Sequence, residues 1–341
     1  MTEKVYSRQE WGEALEEVKG SYGKVYVPSK EGDFHLFKDL KEGAKADFSY
    51  GNTRMSAKGL VYPQSERMFE YRVGENILRE AGKDYSEQAV VGIRPCDAGA
   101  FLVVKRNFDT EEYRDPWWVK RYESTTLVGF GCVEPCGSCF CSSVGGGPFS
   151  EKGLDVLVTE CGEEYVVRGL TEKGEAFLSK AGGGREAEAE DLARAEEVAA
   201  EALGKVVSKV ETDKLKEKVQ TELFDAPFWE EVAFGCINCG TCTYVCPTCW
   251  CFDIQDEVYG GEGDRIRNWD SCMFPLFTLH GSGHNPREEK VQRVRQRFMH
   301  KLKYYVDKYG EGVQCTGCGR CVRYCPVNID IRRVCGLMNE Y

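Results

Sequence analysis

Two runs of cysteines in the C-terminal third of the chain have a spacing that binds iron–sulfur clusters. Both runs read C-x2-C-x2-C-x3-C and are followed by a proline, Pro247 or Pro326. In bacterial ferredoxins, three close cysteines of such a run bind one [4Fe–4S] cluster and the fourth reaches the other cluster. Cluster one is therefore predicted to use Cys236, Cys239, Cys242 and Cys325, and cluster two to use Cys315, Cys318, Cys321 and Cys246.

A zinc-dependent structural or nucleic-acid-binding protein is the alternative interpretation, because C-x2-C pairs also bind zinc. Zinc sites usually combine two such pairs across a longer gap, which fits the complete four-cysteine runs poorly. The formal net charge of −11 disfavours nucleic acid as a partner, since phosphate binding needs a basic surface. Iron–sulfur clusters are thus the favoured interpretation.

Three further cysteines, Cys249, Cys251 and Cys272, accompany the first run. They could hold a third cluster if a fourth ligand came from His280 or His284, because histidine replaces cysteine at iron in some clusters. If the trio were the cluster's only protein ligands, one iron would be open, and the chain could be a reductase with its own substrate site. Alternatively, the three thiols are small buried groups beside the ferredoxin core.

The N-terminal part carries a second group of candidate metal ligands. One cysteine ends an apolar run in IRPCDAG, and four lie in the loop GFGCVEPCGSCFCSSVGGGP, which follows another apolar run. If the two strand ends lie side by side, their thiols could form one site, and the three glycines would let the backbone approach a cluster closely. The cysteines of this group are Cys96, Cys132, Cys136, Cys139 and Cys141.

The composition indicates a globular protein of the cytoplasm. The 341 residues include 18 cysteines, and the N-terminal sequence lacks the apolar core of a signal peptide. Thiols are kept reduced in the cytosol, which favours metal ligation over disulfides. No run of about 18 apolar residues occurs, so no membrane insertion is expected.

The elements that must position these ligands suggest an α+β fold in three parts. Apolar runs such as AVVGIRP, TTLVGFG and LDVLVTE predict buried strands, and RQEWGEALEEVKG has helical periodicity. Residues 1–181 are predicted to form a mixed α/β domain that includes the iron–sulfur loop. A helical linker is predicted over residues 182–226. A dicluster ferredoxin-like domain is predicted over residues 227–341, with a long helical insertion at 252–314.

The helical part of the insertion is predicted over residues 286–309, where an amphipathic pattern ends at Gly310. This stretch is rich in basic side chains, namely Arg293, Arg295, Arg297, Lys301 and Lys303. They form either a solvated helix face or a positive wall near the clusters or an acidic partner.

The order of the motifs resembles that of one protein family. RPCDAGA, CFCSSVGGGP, CINCGTCTYVCPTCWC, WDSCM, GHNPR and CTGCGRCVRYCP follow one another along the chain. In this order they resemble the iron–sulfur beta subunit of cytosolic nickel–iron hydrogenases of the sulfhydrogenase type. They are similar also to the A subunit of the anaerobic sulfite reductase.

The resemblance implies an electron-transfer subunit without a substrate pocket of its own. Such a subunit relays electrons between a flavoprotein subunit, which binds FAD and handles NAD(P)H, and a catalytic hydrogenase or reductase subunit. The resemblance also implies an N-terminal [4Fe–4S] cluster on Cys96, Cys132, Cys139 and Cys141, whereas Cys136 has no counterpart. The sequence contains no phosphate-binding glycine motif and no convincing nucleophile–base pair, so no catalytic residue is predicted.

Overall fold

A computed structural model describes residues 2–341 as an α/β structure with two β-sheets. In chain order the strands are β1 (Glu3–Ser7), β2 (Lys24–Glu31), β3 (Phe34–Asp39), β4 (Ser65–Arg72), β5 (Leu78–Glu80), β6 (Gln88–Ile93), β7 (Thr125–Phe130), β8 (Val156–Cys161), β9 (Glu164–Gly169), β10 (Arg185–Glu186), β11 (Phe252–Tyr259) and β12 (Glu262–Trp269).

The helices connect these strands and form most of the C-terminal part. They are α1 (Arg8–Ser21), α2 (Lys58–Val61), α3 (Pro95–Phe108), α4 (Pro116–Glu123), α5 (Glu172–Ala181), α6 (Ala189–Gly204), α7 (Gln220–Phe224), α8 (Phe228–Phe234), α9 (Thr241–Tyr244), α10 (Lys290–Met299), α11 (Tyr305–Tyr309), α12 (Arg320–Arg323) and α13 (Ile331–Glu340). Short 3₁₀ turns lie at Leu40–Glu42, Cys141–Val144, Asp213–Lys216 and Pro275–Thr278, and a π-helical turn at His300–Tyr304 joins α10 to α11.

The first sheet has the strand order β10-β1-β9-β8-β7-β6-β2-β3, with β2, β6, β7 and β8 parallel to one another. Helices cover both faces, so every residue of β6 and β7 is buried. This burial explains why the two strands are continuous apolar runs rather than alternating ones. The mixed α/β architecture predicted from the sequence is confirmed.

The carboxyl ends of β6 and β7 bring the two N-terminal cysteine motifs to one edge of this sheet. Helix α3 begins at Pro95, two residues after β6, and the cysteine loop starts directly after β7. Neighbouring parallel strands end at the same edge, where α/β proteins place their functional groups. Cys96 and Cys132 are therefore neighbours in space, although 36 residues separate them in the chain.

The segment predicted as a linker packs against both parts of the molecule. Strand β10 pairs with β1, and α6 lays Leu192, Ala195 and Val198 on an apolar cluster that includes Cys161 of β8. Further along, Leu215 and other residues of this segment enter the core of the C-terminal part. The division at residues 181 and 226 stays a prediction, because the contacts run continuously across both boundaries.

The insertion at 252–314 begins as a β-hairpin, and its helix is confined to the second half. Gly260 and Gly261, both at positive φ, form the turn between β11 and β12. Strand β12 also pairs with β4, which gives the second sheet the order β11-β12-β4-β5. A buried ion pair between Arg267 and Glu66, at 2.6 Å, fixes this pairing. The hairpin thus attaches the ferredoxin part to the N-terminal part.

The helix of the insertion lies where the amphipathic pattern predicts it. It runs from Lys290 through the π-helical turn to Tyr309, and it ends at Gly310, whose φ is +78°. Its apolar face packs with α8 and α13 in one core, through Phe298, Trp229 and similar side chains. Within residues 2–341, no helix is long and apolar enough to cross a bilayer.

Candidate iron–sulfur centres

The first ferredoxin run forms a loop and a short helix beside a cavity. Helix α9 follows Gly240, whose φ of +73° lies in the left-handed region. A Cβ at this position would lie 2.8 Å from the Phe274 ring, so glycine serves both the turn and the close approach. The cavity is bounded by the four thiols predicted for cluster one, Cys236, Cys239, Cys242 and Cys325.

The second run repeats this local structure. Helix α12 follows Gly319 at φ +71°, as α9 follows Gly240. In both runs an amide donates to the first thiol, from Asn238 N to Cys236 Sγ and from Gly317 N to Cys315 Sγ, each at 3.4 Å. Such bonds stabilise a thiolate. The second cavity is bounded by the thiols predicted for cluster two, Cys246, Cys315, Cys318 and Cys321.

The fourth thiol of each cavity comes from the other run. Cys325 reaches the first cavity and Cys246 reaches the second, which is the crossed placement predicted from the spacing. Within residues 2–341, no group of three or more Cys, His, Asp and Glu residues is arranged to hold a single metal ion. The thiols instead surround cavities, an arrangement suited to a cluster in which each ligand binds a different iron. Their role as ligands stays a prediction.

A third cavity lies at the edge of the first sheet. It is bounded by the five N-terminal cysteines, Cys96, Cys132, Cys136, Cys139 and Cys141, with Cys318 on the side of the second cavity. The side-chain amide of Asn52 donates to Cys96 Sγ at 3.7 Å. The strand ends therefore bring together all the thiols that the sequence offers for an N-terminal centre, one more than a cubane needs.

Two of these five thiols are immediate neighbours, since the sulfur atoms of Cys136 and Cys139 are in contact. Cys139 belongs to the predicted quartet, and Cys136 is its neighbour at the cavity. Burial raises the pKa of the Cys141 thiol to about 11, and it also raises the pKa of Cys132. A cluster here would have to stabilise thiolates that the apolar surroundings disfavour.

The loop after β7 packs directly on the second ferredoxin run. Phe140 N donates to Gly317 O at 2.9 Å, and Cys139 Sγ lies 3.7 Å from Cys318 O. A Cβ on Gly317 would lie 2.5 Å from Cys141 N, so only glycine permits this approach. The N-terminal cavity and the second cavity consequently share a wall.

Replacing Gly317 with alanine is expected to destabilise the chain by about 1–3 kcal/mol, because the new methyl group collides with the Cys141 backbone. Gly312→Ala is the matched control, since Gly312 has nearly the same φ, +64° against +65°, and no atom within 4 Å of an added Cβ. Chemical unfolding of both anaerobic proteins measures the difference. Equal midpoints for the two variants would show that this contact does not need glycine.

Buried cations accompany the thiols of the ferredoxin cavities. Burial raises the pKa of Cys242 and of Cys321, and the Arg297 guanidinium opposes both shifts. Burial disfavours the charge on Lys301, but nearby thiols such as Cys246 raise the pKa of this lysine overall. Of the basic side chains on the insertion helix, Arg297 and Lys301 therefore form a positive wall beside the two cavities.

The N-terminal cavity also has buried cations, which the sequence interpretation did not single out. Arg94 donates to Phe130 O at 3.2 Å and to Gly131 O at 2.6 Å, beside Cys132. Arg320, from the second ferredoxin run, forms a buried ion pair with Asp97 at 2.7 Å. In the sequence, these roles are indicated only by the positions of Arg94 and Arg320 near cysteines, in RPCDAGA and CGRC.

The three additional cysteines of the first run are packed against each other and against Cys246. The thiol of Cys249 lies beside that of Cys246, and the thiol of Cys251 lies beside that of Cys272. Cys249 and Cys272 are buried. A third cluster on Cys249, Cys251 and Cys272 stays a hypothesis, and their placement equally fits thiols packed beside the ferredoxin core.

The histidines considered as a fourth ligand for this trio are on the surface. His280 and His284 are exposed, and their rings contact each other with centroids 5.4 Å apart. The main chain joins them as well, with His280 N donating to His284 O at 2.9 Å. The structure therefore places the two histidines as a surface pair, whereas the thiols of Cys249 and Cys272 lie in the interior.

Comparison with known proteins agrees with the class of protein that this geometry defines. Residues 235–329 match the family described as "4Fe-4S dicluster domain", so the C-terminal part is an iron–sulfur domain of the two-cluster type. The whole chain is similar to Sulfhydrogenase 2 subunit beta of Pyrococcus furiosus. The identity is 28% over 323 residues, which are 93% of each chain. The resemblance to the iron–sulfur beta subunit of sulfhydrogenases is thereby confirmed.

Proposed function

We propose that this chain relays electrons between a flavoprotein subunit that binds FAD and NAD(P)H and a catalytic hydrogenase or reductase subunit. Similarity to the beta subunit of a sulfhydrogenase supports the assignment to an electron-transferring complex. Three [4Fe–4S] clusters would carry the electrons, two in the ferredoxin part and one at the sheet edge. The chain itself would be non-catalytic.

The observation that carries this proposal is the succession of three neighbouring thiol-lined cavities. The first and second cavities exchange their fourth thiols, Cys246 and Cys325. The second and N-terminal cavities share Cys318. Because electron tunnelling weakens steeply with distance, cavities that are linked in this way suit a relay from one end of the series to the other.

The ligand sets proposed are those of the crossed ferredoxin arrangement and the N-terminal quartet. Cluster one is assigned Cys236, Cys239, Cys242 and Cys325; cluster two is assigned Cys246, Cys315, Cys318 and Cys321; the N-terminal cluster is assigned Cys96, Cys132, Cys139 and Cys141. When bound, the clusters supply one-electron redox chemistry, with potentials that depend on hydrogen bonds, charge and exposure. The chain supplies the thiolates, the amide donors and the buried cations around them.

A reductase with its own substrate-binding cluster is less well supported. Such a site needs an iron with three protein ligands and one position open to substrate. Cys249 contacts Cys246, and Cys251 contacts Cys272, so these thiols face one another rather than solvent. This arrangement favours a relay over catalysis at the trio.

The relay is tested with Cys318→Ala in the complex purified through a tag on this chain. The variant is expected to lose NAD(P)H-linked turnover at least tenfold, because cluster two lies at the centre of the series. Dye-linked turnover of the catalytic subunit, which bypasses the relay, is expected to persist. Cys161→Ala, a buried strand position away from the three cavities, is the control. Unchanged NAD(P)H-linked turnover in Cys318→Ala would contradict the proposal.

A further inference from the structure

Arg297 lies between the two ferredoxin cavities. Its side chain is 3% exposed and forms part of the wall of the first cavity. The guanidinium lies near the thiol of Cys242, assigned to cluster one, and that of Cys321, assigned to cluster two, and it favours the charged form of both. It also donates to Cys242 O at 3.4 Å, while its Nε has no partner. One cation therefore faces ligands of both clusters.

Lys301, one turn further along the helix, faces the second cavity only. Its side chain is 2% exposed and forms part of the cavity wall with Cys246 and Cys315. The ammonium donates to Thr248 Oγ1 at 2.9 Å and to Gln314 O at 3.2 Å. An ammonium has three N–H donors, so one remains for the cavity. These two bonds hold the charge in place beside the proposed ligands of cluster two.

Neither cation has a carboxylate partner within residues 2–341. The ion pairs of this part of the chain include Lys303 with Asp307 at 2.7 Å and Arg320 with Asp97, but none involves Arg297 or Lys301. Burying an unpaired charge is costly. A thiolate-bound cluster carries net negative charge. Clusters bound in the two cavities would therefore balance the positive charges of Arg297 and Lys301.

We propose that Lys301 raises the reduction potential of cluster two, whereas Arg297 raises the potentials of both ferredoxin clusters. This inference rests on the proposed function, because it requires both clusters. Reduction adds one electron to a cluster and breaks no bond, so a fixed positive charge nearby favours the reduced state. Lys301 thus contributes to the difference in potential between the two clusters, and with it to the driving force for the step between them.

The test is a dithionite titration of the anaerobic protein followed by EPR. Lys301→Met is expected to lower the midpoint of cluster two by at least about 59 mV, which is a tenfold change in the one-electron equilibrium, and to leave cluster one in place. Arg297→Met is expected to lower both midpoints. Cys325→Ser, which removes a proposed ligand of cluster one, identifies which reduction step belongs to which cluster.

Lys303→Met is the matched control, because Lys303 lies on the same helix and is also 2% exposed, but its charge is paired with Asp307. It is expected to leave both midpoints unchanged, and Lys301→Arg is expected to stay near the wild-type value. Equal shifts in Lys301→Arg and Lys301→Met, or no shift in Lys301→Met with full iron content, would overturn the inference. A wild-type protein without iron and sulfide would instead refute the proposed function.

Discussion

Replacing Cys246 with serine is expected to destroy the EPR signal of cluster two and to leave that of cluster one. Although Cys246 belongs to the first run, its thiol lies on the second cavity with Cys315, Cys318 and Cys321. Loss of this ligand should release about four irons per chain or leave a three-iron centre. Iron and acid-labile sulfide analysis, together with EPR of the reduced protein, measures the effect.

Cys325→Ser is the mirror control, because this cysteine of the second run lies on the first cavity. The two variants should damage opposite clusters. The thiol of Cys249 contacts that of Cys246 and is the group best placed to replace it, so the double variant Cys246→Ser/Cys249→Ser guards against ligand exchange. Damage by Cys246→Ser to cluster one alone would show that the crossed assignment is wrong.

The ferredoxin part was predictable from sequence because its geometry is encoded locally. The spacing of the cysteines determines which thiols face one cavity, and glycines at fixed offsets supply the positive φ that each run requires, as at Gly240 and Gly319. The closeness of Cys96 to Cys132 was predictable for a related reason. Two apolar runs indicated buried strands, and parallel neighbouring strands end at the same edge.

Contacts between distant segments could not be predicted in this way. The hairpin Phe252–Trp269 pairs with β4, and the buried ion pair across this pairing joins Arg267 to Glu66, 201 residues apart in the chain, which no local pattern reveals. Likewise, Arg320 belongs to a cysteine run by sequence but forms its ion pair with Asp97 of the N-terminal part. Pairings of this kind depend on tertiary packing, so the sequence indicated the ligands better than the cations that surround them.

The sequence also left open which of two neighbouring thiols, Cys136 or Cys139, would ligate an N-terminal cluster. The contact between their sulfur atoms shows that both thiols reach the same place at the edge of the cavity. The family resemblance favours Cys139. Its Sγ also lies 3.7 Å from the main-chain oxygen of Cys318, which belongs to the second ferredoxin run. A ligand at this point would lie on the side that faces cluster two.

Cys139→Ala is therefore expected to lower bound iron by about four atoms per chain and to leave both ferredoxin EPR signals intact. Cys136→Ala is the matched control, because it removes the neighbouring thiol at the same cavity and is expected to retain full iron. Loss of iron in Cys136→Ala together with full iron in Cys139→Ala would instead assign the ligand role to Cys136. Full iron in the double variant Cys136→Ala/Cys139→Ala would rule out a cluster on the predicted quartet. The relay would then consist of the two ferredoxin clusters, and the thiols at the sheet edge would have a structural role only.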